Sequence, residues 1–186
     1  MKTITVKDLV VPLEEYATVS DDATLFEAVT ALEEAQEALD RERYLYLHRA
    51  VLVYDKNKKI VGKISQLDVL RALEPKYENV GDLEKLSRAG FSPSFLKTML
   101  KQEALWENPL KDICIKGANF RVKTFMYIPT EGEYISEDAA LEEAVHLLVM
   151  GHHHSLLVTR GKEIVGVLRL TDVFAEMFQL MKLCAI

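Results

Sequence analysis

One short segment occurs twice in this chain of 186 residues and constrains its fold more than any other feature. The segment begins at Ile60 and returns without a gap at Ile164, so that Asp68 and Asp172 hold the same position. Each copy combines a β-branched strand containing a glycine with an aspartate where an apolar helix begins. The repeat predicts two related α/β units. Each has a helix N-terminus where backbone N–H groups and a carboxylate can meet a small polar ligand.

The first half predicts a helix, a hairpin of two strands and a second helix. Thr24 and Glu27 have the spacing of a capping box, in which each side chain bonds the backbone N–H of the other residue. The predicted elements are a helix from Leu25 to about Leu39, strands over 50–54 and 60–65 around a polar turn, and a helix over 67–73.

The second half predicts the same order of elements. Leu141, Ala144 and Leu148 line one face of a helix that Gly151 can end as its C-terminal cap. The strands are expected over 155–158 and 164–168, followed by a last helix from Thr171 to about 183. The first half is longer between its first helix and its hairpin, which predicts a longer helix or an extra loop around residues 44–47.

A long segment separates the two halves, and its pattern predicts helices. One is expected over 82–89 and another after the Ser92-Pro93 start signal, carrying Phe95, Met99 and Trp106 on an apolar stripe. Such a stripe usually packs on the rest of the molecule. The open alternative is a surface that binds a partner.

Composition excludes several classes of protein. The net charge of −6 argues against a nucleic-acid-binding protein, which would carry a basic face. No apolar stretch is long enough to cross a bilayer. No run of apolar residues follows basic ones near Met1, so no signal peptide is expected. The two cysteines, Cys114 and Cys184, have no metal or redox spacing. We therefore expect a soluble cytoplasmic protein with unpaired thiols.

The element order, with Gly-x-x-Ser-x-x-Asp over 62–68 closing the second hairpin strand, resembles the cystathionine-β-synthase (CBS) domain. The two copies, with Pro12 and Pro129 at corresponding upstream positions, resemble a tandem CBS pair, also called a Bateman module. The expected division is a first CBS domain over 1–74, a helical insert over 75–121 and a second CBS domain over 122–186. The resemblance implies an α/β fold in which two strand-helix-strand-strand-helix repeats pack through their sheets.

The family also implies a function. Its members bind adenosine compounds such as AMP, ADP, ATP or S-adenosylmethionine in clefts between paired domains, and regulate rather than catalyse. Pairs of this kind often form homodimers, and a regulated partner protein would lie on a separate chain. We accordingly expect no catalytic residues and an adenine nucleotide or S-adenosylmethionine as the regulatory ligand.

Particular residues match the family pattern. Ser65 and Asp68 correspond to its hydroxyl residue and its aspartate, which accepts hydrogen bonds from the ribose hydroxyls. Asp172 corresponds to the second aspartate, but Arg169 replaces the expected hydroxyl residue, and the neighbouring Thr171 does not restore the spacing. Arginine could hold a phosphate or fill the second cleft and exclude the nucleotide.

The residues before each second strand also line the clefts in the family. Here they are His48, Arg49 and Ala50 in the first half, and His153, His154 and Ser155 in the second. The run of three histidines from His152 suggests a metal, but no cysteine or carboxylate stands at ligand spacing beside it, so no metal site is predicted. The simplest alternative for both aspartates is that they only cap helices.

Three functions stay open at this point. The first is a regulatory module that senses an adenosine compound, and the second is a structural or dimerisation module whose insert is the working surface. The third, an enzyme, has no defensible catalytic arrangement. For the architecture, the matched pattern predicts that eight apolar residues are buried: Leu32, Val51, Val53 and Ile64, and their counterparts Leu148, Leu156, Val158 and Leu168.

Overall fold

The computed structural model describes residues 4–73 and 113–183. The first half opens with short 3-10 helices at Val6–Asp8 and Leu13–Glu15. Its strands are β1 (Val11–Pro12), β2 (Thr18–Ser20), β3 (Ala50–Tyr54) and β4 (Ile60–Ser65), and its helices are α1 (Leu25–Glu37) and α2 (Gln66–Leu73). The predicted capping box starts α1, because Glu27 N donates to Thr24 Oγ1 at 3.2 Å and Thr24 N donates to Glu27 at 2.6 Å.

The second half repeats these elements. It contains helix α3 (Ile113–Asn119), 3-10 helices at Val122–Thr124 and Glu131–Glu133, strands β5 (Tyr134–Ser136), β6 (Ser155–Arg160) and β7 (Glu163–Arg169), and helices α4 (Leu141–Gly151) and α5 (Leu170–Leu183). The helices predicted at 82–89 and around Phe95 to Trp106 lie outside the described residues, as does Cys184. Cys114 is exposed on α3 and unpaired.

The strands form two sheets, and each half lends a segment to the other. The first sheet has the order β2-β3-β4 and the second β1-β7-β6-β5. Strand β1 therefore belongs to the sheet of the second half, where Val11 lies opposite Val167. The counterpart is the antiparallel bridge between Tyr127 and Lys63. The two repeats are consequently joined by an exchange of their N-terminal segments, which we call the exchanged arms. Residues 4–12 pack on the second half, and residues 122–127 pack on the first.

All eight apolar residues predicted to be buried are buried. They fall into two clusters, one beneath the helices of each half, and each cluster is completed by a valine from an exchanged arm: Val122 in the first and Val6 in the second. A third cluster joins the two sheets and includes Leu52, Leu157 and Val167. The fold is thus an α/β pair of repeats packed through their sheets.

The prediction that Gly151 caps α4 is wrong by one residue. Gly151 is the last helical residue, and His152 adopts the left-handed conformation with φ of 53°. Histidine is among the residues that enter this region more often than most. A Cβ at position 151 would meet the ring of His153, and that side chain would have to rotate away.

Candidate functional site

The first cleft lies where β4 passes into α2. Ser65 N and Ser65 Oγ both donate to Asp68 Oδ2, at 2.8 and 2.6 Å, and Asp68 N donates to Ser65 Oγ at 3.2 Å. This is a capping box, in which Ser65 is the N-cap residue and Asp68 stands three residues later. The box uses one oxygen of the carboxylate. The other, Oδ1, is 3.8 Å from Arg71, which is a loose ion pair for an exposed arginine.

The segment before β3 borders this cleft in part. Ala50 lies opposite Ser65 in the hairpin register, and Gln66 N donates to the carbonyl of Arg49 at 3.2 Å. Arg49 is exposed. His48, although adjacent in sequence, contacts the second cleft instead.

The second cleft is filled by Arg169, which is only 4% exposed. Its Nε and Nη2 donate to the two oxygens of Asp172 at 2.5 and 2.7 Å, a bidentate pair. Its Nη1 donates to the carbonyl of Tyr46 at 2.9 Å and lies 3.3 Å from His48 Nδ1, and the guanidinium carbon is 5.1 Å from the centre of the Tyr44 ring. Both oxygens of this carboxylate are therefore occupied from within the chain.

The loop that meets Arg169 is the extra segment predicted in the first half. Tyr44 is buried and its hydroxyl donates to Glu15 at 2.7 Å, while Arg43 pairs with the other oxygen of Glu15 at 2.7 Å. Burial and the bond to Glu15 raise the pKa of Tyr44 to about 12, so the phenol stays a donor. Gln36 on α1 donates to the carbonyl of His48 at 2.6 Å. The loop is thus anchored at several points.

His48 is buried and neutral. The Arg169 guanidinium can only donate, so Nδ1 accepts and Nε2 carries the proton. Among the described residues, Nε2 meets no hydrogen-bond acceptor within bonding geometry, and the ring packs against Tyr16 with 4.6 Å between centroids. Burial and then the charge of Arg169 lower the pKa of His48.

The other predicted residues of the second half are dispersed. Ser155 lies opposite Arg169, and Leu170 N donates to the carbonyl of His154 at 3.0 Å. Thr171 is partly buried on α5. The ring of His153 lies against Gly151 and near Gly132, away from Asp172. The second cleft accordingly has a different wall from the one that the family pattern predicts.

A small cavity of about 270 Å³ remains beside the filled cleft. It is bordered by residues 8–10, residues 43–45 and the face of α5 that carries Asp172 and Glu176. Typical ligand pockets measure roughly 300–1,000 Å³. The space is therefore small for a nucleotide.

Sequence reasoning missed a polar network beside the first cleft. Glu133, 1% exposed, pairs with Lys63 from β4 and accepts from Tyr127 Oη at 2.6 Å and from Thr130 N at 3.1 Å. Burial alone would raise the pKa of Glu133, but the bonds from Lys63 and Tyr127 lower it. Its spacing from Thr130 is a capping-box signal that was available in the sequence.

The described residues contain no group of three histidine, cysteine or acidic side chains arranged to hold a metal ion. The three histidines from His152 lie between α4 and β6. In the ranges 4–73 and 113–183, none of the helices is long and apolar enough to cross a membrane.

The family model for the CBS domain matches the chain twice, over residues 6–75 and 127–179. The chain therefore belongs to the CBS domain family and contains a tandem pair. No curated protein sequence matches it.

Solved structures of CBS pairs share the fold. The CBS-pair protein CBSX2 from Arabidopsis thaliana is 18% identical with a TM-score of 0.61, and the match covers 97% of this chain and 99% of that one. CBSX2 in complex with AMP is likewise 18% identical, with a TM-score of 0.57 over 95% and 98% of the two chains. The CBS domain of a membrane protein from Sphaerobacter thermophilus is 20% identical, with a TM-score of 0.60 over 94% and 88%.

Proposed function

We propose that this CBS pair is a regulatory module that binds an adenosine compound in the first cleft and signals to a separate protein. Three observations support this function: the tandem CBS match, the AMP complex of a protein with the same fold, and the state of Asp68. The carboxylate of Asp68 keeps one oxygen outside its capping box, and a ribose diol offers two donors to such an acceptor. That oxygen is the observation that carries the proposal.

The ligand-binding set that we propose is Ser65 and Asp68 with the backbone around Arg49 and Ala50. These residues meet at one helix N-terminus, where backbone N–H groups favour an anion. Asp172 is excluded from this role because Arg169 takes both of its oxygens. We therefore expect one adenosine ligand per chain.

Calorimetric titration of the whole chain with AMP, ADP, ATP and S-adenosylmethionine tests this function. The expected result is saturable binding of one compound at one site per chain. A ligand at 100 times its dissociation constant should also raise the free energy of unfolding by about 2.7 kcal/mol. If none of the four compounds binds or stabilises the protein, the regulatory proposal is overturned.

The variant Arg169→Ser supplies a matched comparison. It restores the hydroxyl of the family pattern and frees Asp172, as in the first cleft. We expect a second site to appear in this variant while the first keeps its affinity. A stoichiometry that stays at one would show that the loop around Tyr44, and not Arg169 alone, closes the second cleft.

The second candidate function is a dimerisation module, which the exposed apolar side chains on α5 favour. Phe174, Phe178 and Met181 recur at helical spacing and are 64%, 50% and 62% exposed. We propose a homodimer for either function, with the insert or the first helices at its interface and the exposed apolar face of α5 as an additional contact surface. Sedimentation at micromolar concentrations should give about twice the chain mass of 21.1 kDa. A single monomeric species of 21.1 kDa would contradict the proposal.

A further inference from the structure

The strand that leads into the first cleft carries a lysine on the same face as its ligand-binding serine. Gly62 and Ile64 on β4 are buried under the helices, whereas Lys63 and Ser65 alternate to the opposite face. Lys63 lies opposite Leu52, a member of the cluster between the two sheets. The side chain of Lys63 therefore leaves β4 on the face that also carries Ser65, towards the space between the two repeats.

A carboxylate from the other half fixes the position of this ammonium. Lys63 Nζ pairs with Glu133, whose other oxygen is held by Tyr127 Oη and Thr130 N. The backbone of Tyr127 also bonds Lys63 in both directions at 2.9 Å. A lysine side chain is flexible when free, and anchoring it in advance reduces the entropy that ligand binding must overcome.

The ammonium can still serve a ligand. It has three N–H donors, of which Glu133 accepts one in the structure, and the Lys63 side chain is 16% exposed. It need not leave Glu133 to contact a second anion. A cation here would also offset the repulsion between a phosphate and the Asp68 carboxylate.

The second cleft has no equivalent of this arrangement. The register that pairs Tyr127 with Lys63 pairs Val11 with Val167 in the other half. Two valines thus stand where the first cleft has a lysine and a tyrosine. The pairing of a carboxylate with a lysine of the hairpin strand is thus found at the first cleft and not at the second.

We propose that Lys63 contacts the phosphate of the ligand in the first cleft, and that Glu133 is the positioning residue that holds its ammonium there. This inference rests on the proposed function and makes it more specific. The module would recognise phosphorylated adenosine, such as AMP, in preference to adenosine itself. The discrimination comes from one charge-assisted hydrogen bond that only the phosphorylated compound can accept.

The test compares the affinities of AMP and adenosine in matched variants of the full chain. Lys63→Met alone leaves Glu133 buried without its cation and can unfold the protein, so the main variant is the double substitution Lys63→Met with Glu133→Gln, which removes both charges. We expect its preference for AMP over adenosine to fall by about tenfold or more, with adenosine affinity unchanged.

Three further variants separate positioning from general structural damage. Lys63→Arg keeps the charge and should retain the preference for AMP, whereas Glu133→Gln should reduce it. Lys7→Met removes an ion-paired lysine of the other half, whose partner is Asp138, and should change nothing. Arg49→Met tests the exposed cation at the border of the cleft.

The outcomes distinguish the two proposals. If AMP and adenosine bind the wild-type chain but the double variant keeps the same ratio of affinities, the role of Lys63 is overturned while the proposed function stands. A ratio that collapses only in Arg49→Met would also overturn it. If neither compound binds the wild-type chain, the proposed function and this inference fall together.

Discussion

The two clefts of this protein share a backbone and differ in what their aspartates bind. In both, a strand ends at the residue just before the following helix, and the aspartate stands three residues later. At the first cleft that residue is Ser65, which caps the helix, and Asp68 keeps one oxygen outside the cap. At the second it is Arg169, whose guanidinium binds both oxygens of Asp172.

The difference follows from the side chain that stands three residues before each aspartate. A serine hydroxyl reaches only its own helix end, whereas a guanidinium has five donors and extends into the other repeat. Arg169 uses this reach to bond the carbonyl of Tyr46 and to contact His48. The longer loop of the first half supplies those partners, so the substitution and the loop act together.

The largest effect should come from removing the carboxylate of the filled cleft. Asp172→Ala leaves the guanidinium of Arg169 buried without its counter-charge, and breaking such a pair costs about 3–5 kcal/mol. Asp68→Ala removes a helix cap and should cost about 1 kcal/mol. Denaturant unfolding of both variants measures the contrast, and equal losses would mean that the two aspartates do similar structural work.

The order of the two variants should reverse when ligand affinity is measured. Asp68→Ala removes the proposed acceptor of the ribose hydroxyls, and we expect AMP affinity to fall by about 1.5–3 kcal/mol, or roughly tenfold to a hundredfold. Asp172→Ala should leave affinity nearly unchanged where the variant is folded.

Glu27→Ala is the control for the lost cap, because Glu27 forms an equivalent capping box with Thr24 on α1. It should bind AMP as the wild type does. Lost affinity in Asp172→Ala together with unchanged affinity in Asp68→Ala would show that the clefts have been assigned in the wrong order.

Much of this comparison was visible in the sequence. The repeat, the apolar pattern and the capping signals predicted the order of elements and the eight buried residues, because these features depend on neighbours along the chain. The replacement of the hydroxyl residue by Arg169 also identified the cleft that departs from the pattern. What the replacement does there depends on a loop more than a hundred residues away, and no local pattern reports such a contact.

Three other features could not be predicted, for related reasons. The exchange of arms is invisible in the sequence because β1 has two residues and pairs with a strand of the other half. The ion pair between Lys63 and Glu133 joins the two halves of the chain, so no local pattern in the sequence predicts it. The pairing of His48 with the second cleft, and not the first, likewise follows from the packing of the two sheets.

The two glycines of the repeat, Gly62 and Gly166, differ in the atoms that pack against them. A Cβ at Gly166 would overlap the backbone carbonyl of Val11, which cannot move without breaking the pairing of β1 with β7. A Cβ at Gly62 would meet chiefly the sulfur of Met126, at 2.6 Å, and a thioether side chain can rotate away. Gly166→Ala should therefore destabilise by about 1–3 kcal/mol and Gly62→Ala by less. Melting temperatures in the reverse order would contradict this account of the exchanged arm.

The smallest expected effect is a loss of folding stability at acidic pH. It arises from His48, which contacts the second cleft. The folded protein lowers the pKa of His48 through burial and the charge of Arg169, against the weaker opposing influence of Glu15 and Asp172. The unfolded chain takes up this proton near the ordinary histidine pKa of about 6.5, whereas the folded chain does so only at lower pH. The contribution to stability is therefore complete above about pH 6.5 and is lost as the pH falls through the folded-state pKa. The slope for one proton cannot exceed about 1.4 kcal/mol per pH unit.

His48→Gln keeps an acceptor for Arg169 but does not titrate, so its unfolding free energy should fall less steeply between pH 7 and about 5.5. If the unfolding free energies of the wild type and His48→Gln fall in parallel with pH, other groups cause the acid sensitivity and His48 does not contribute to it.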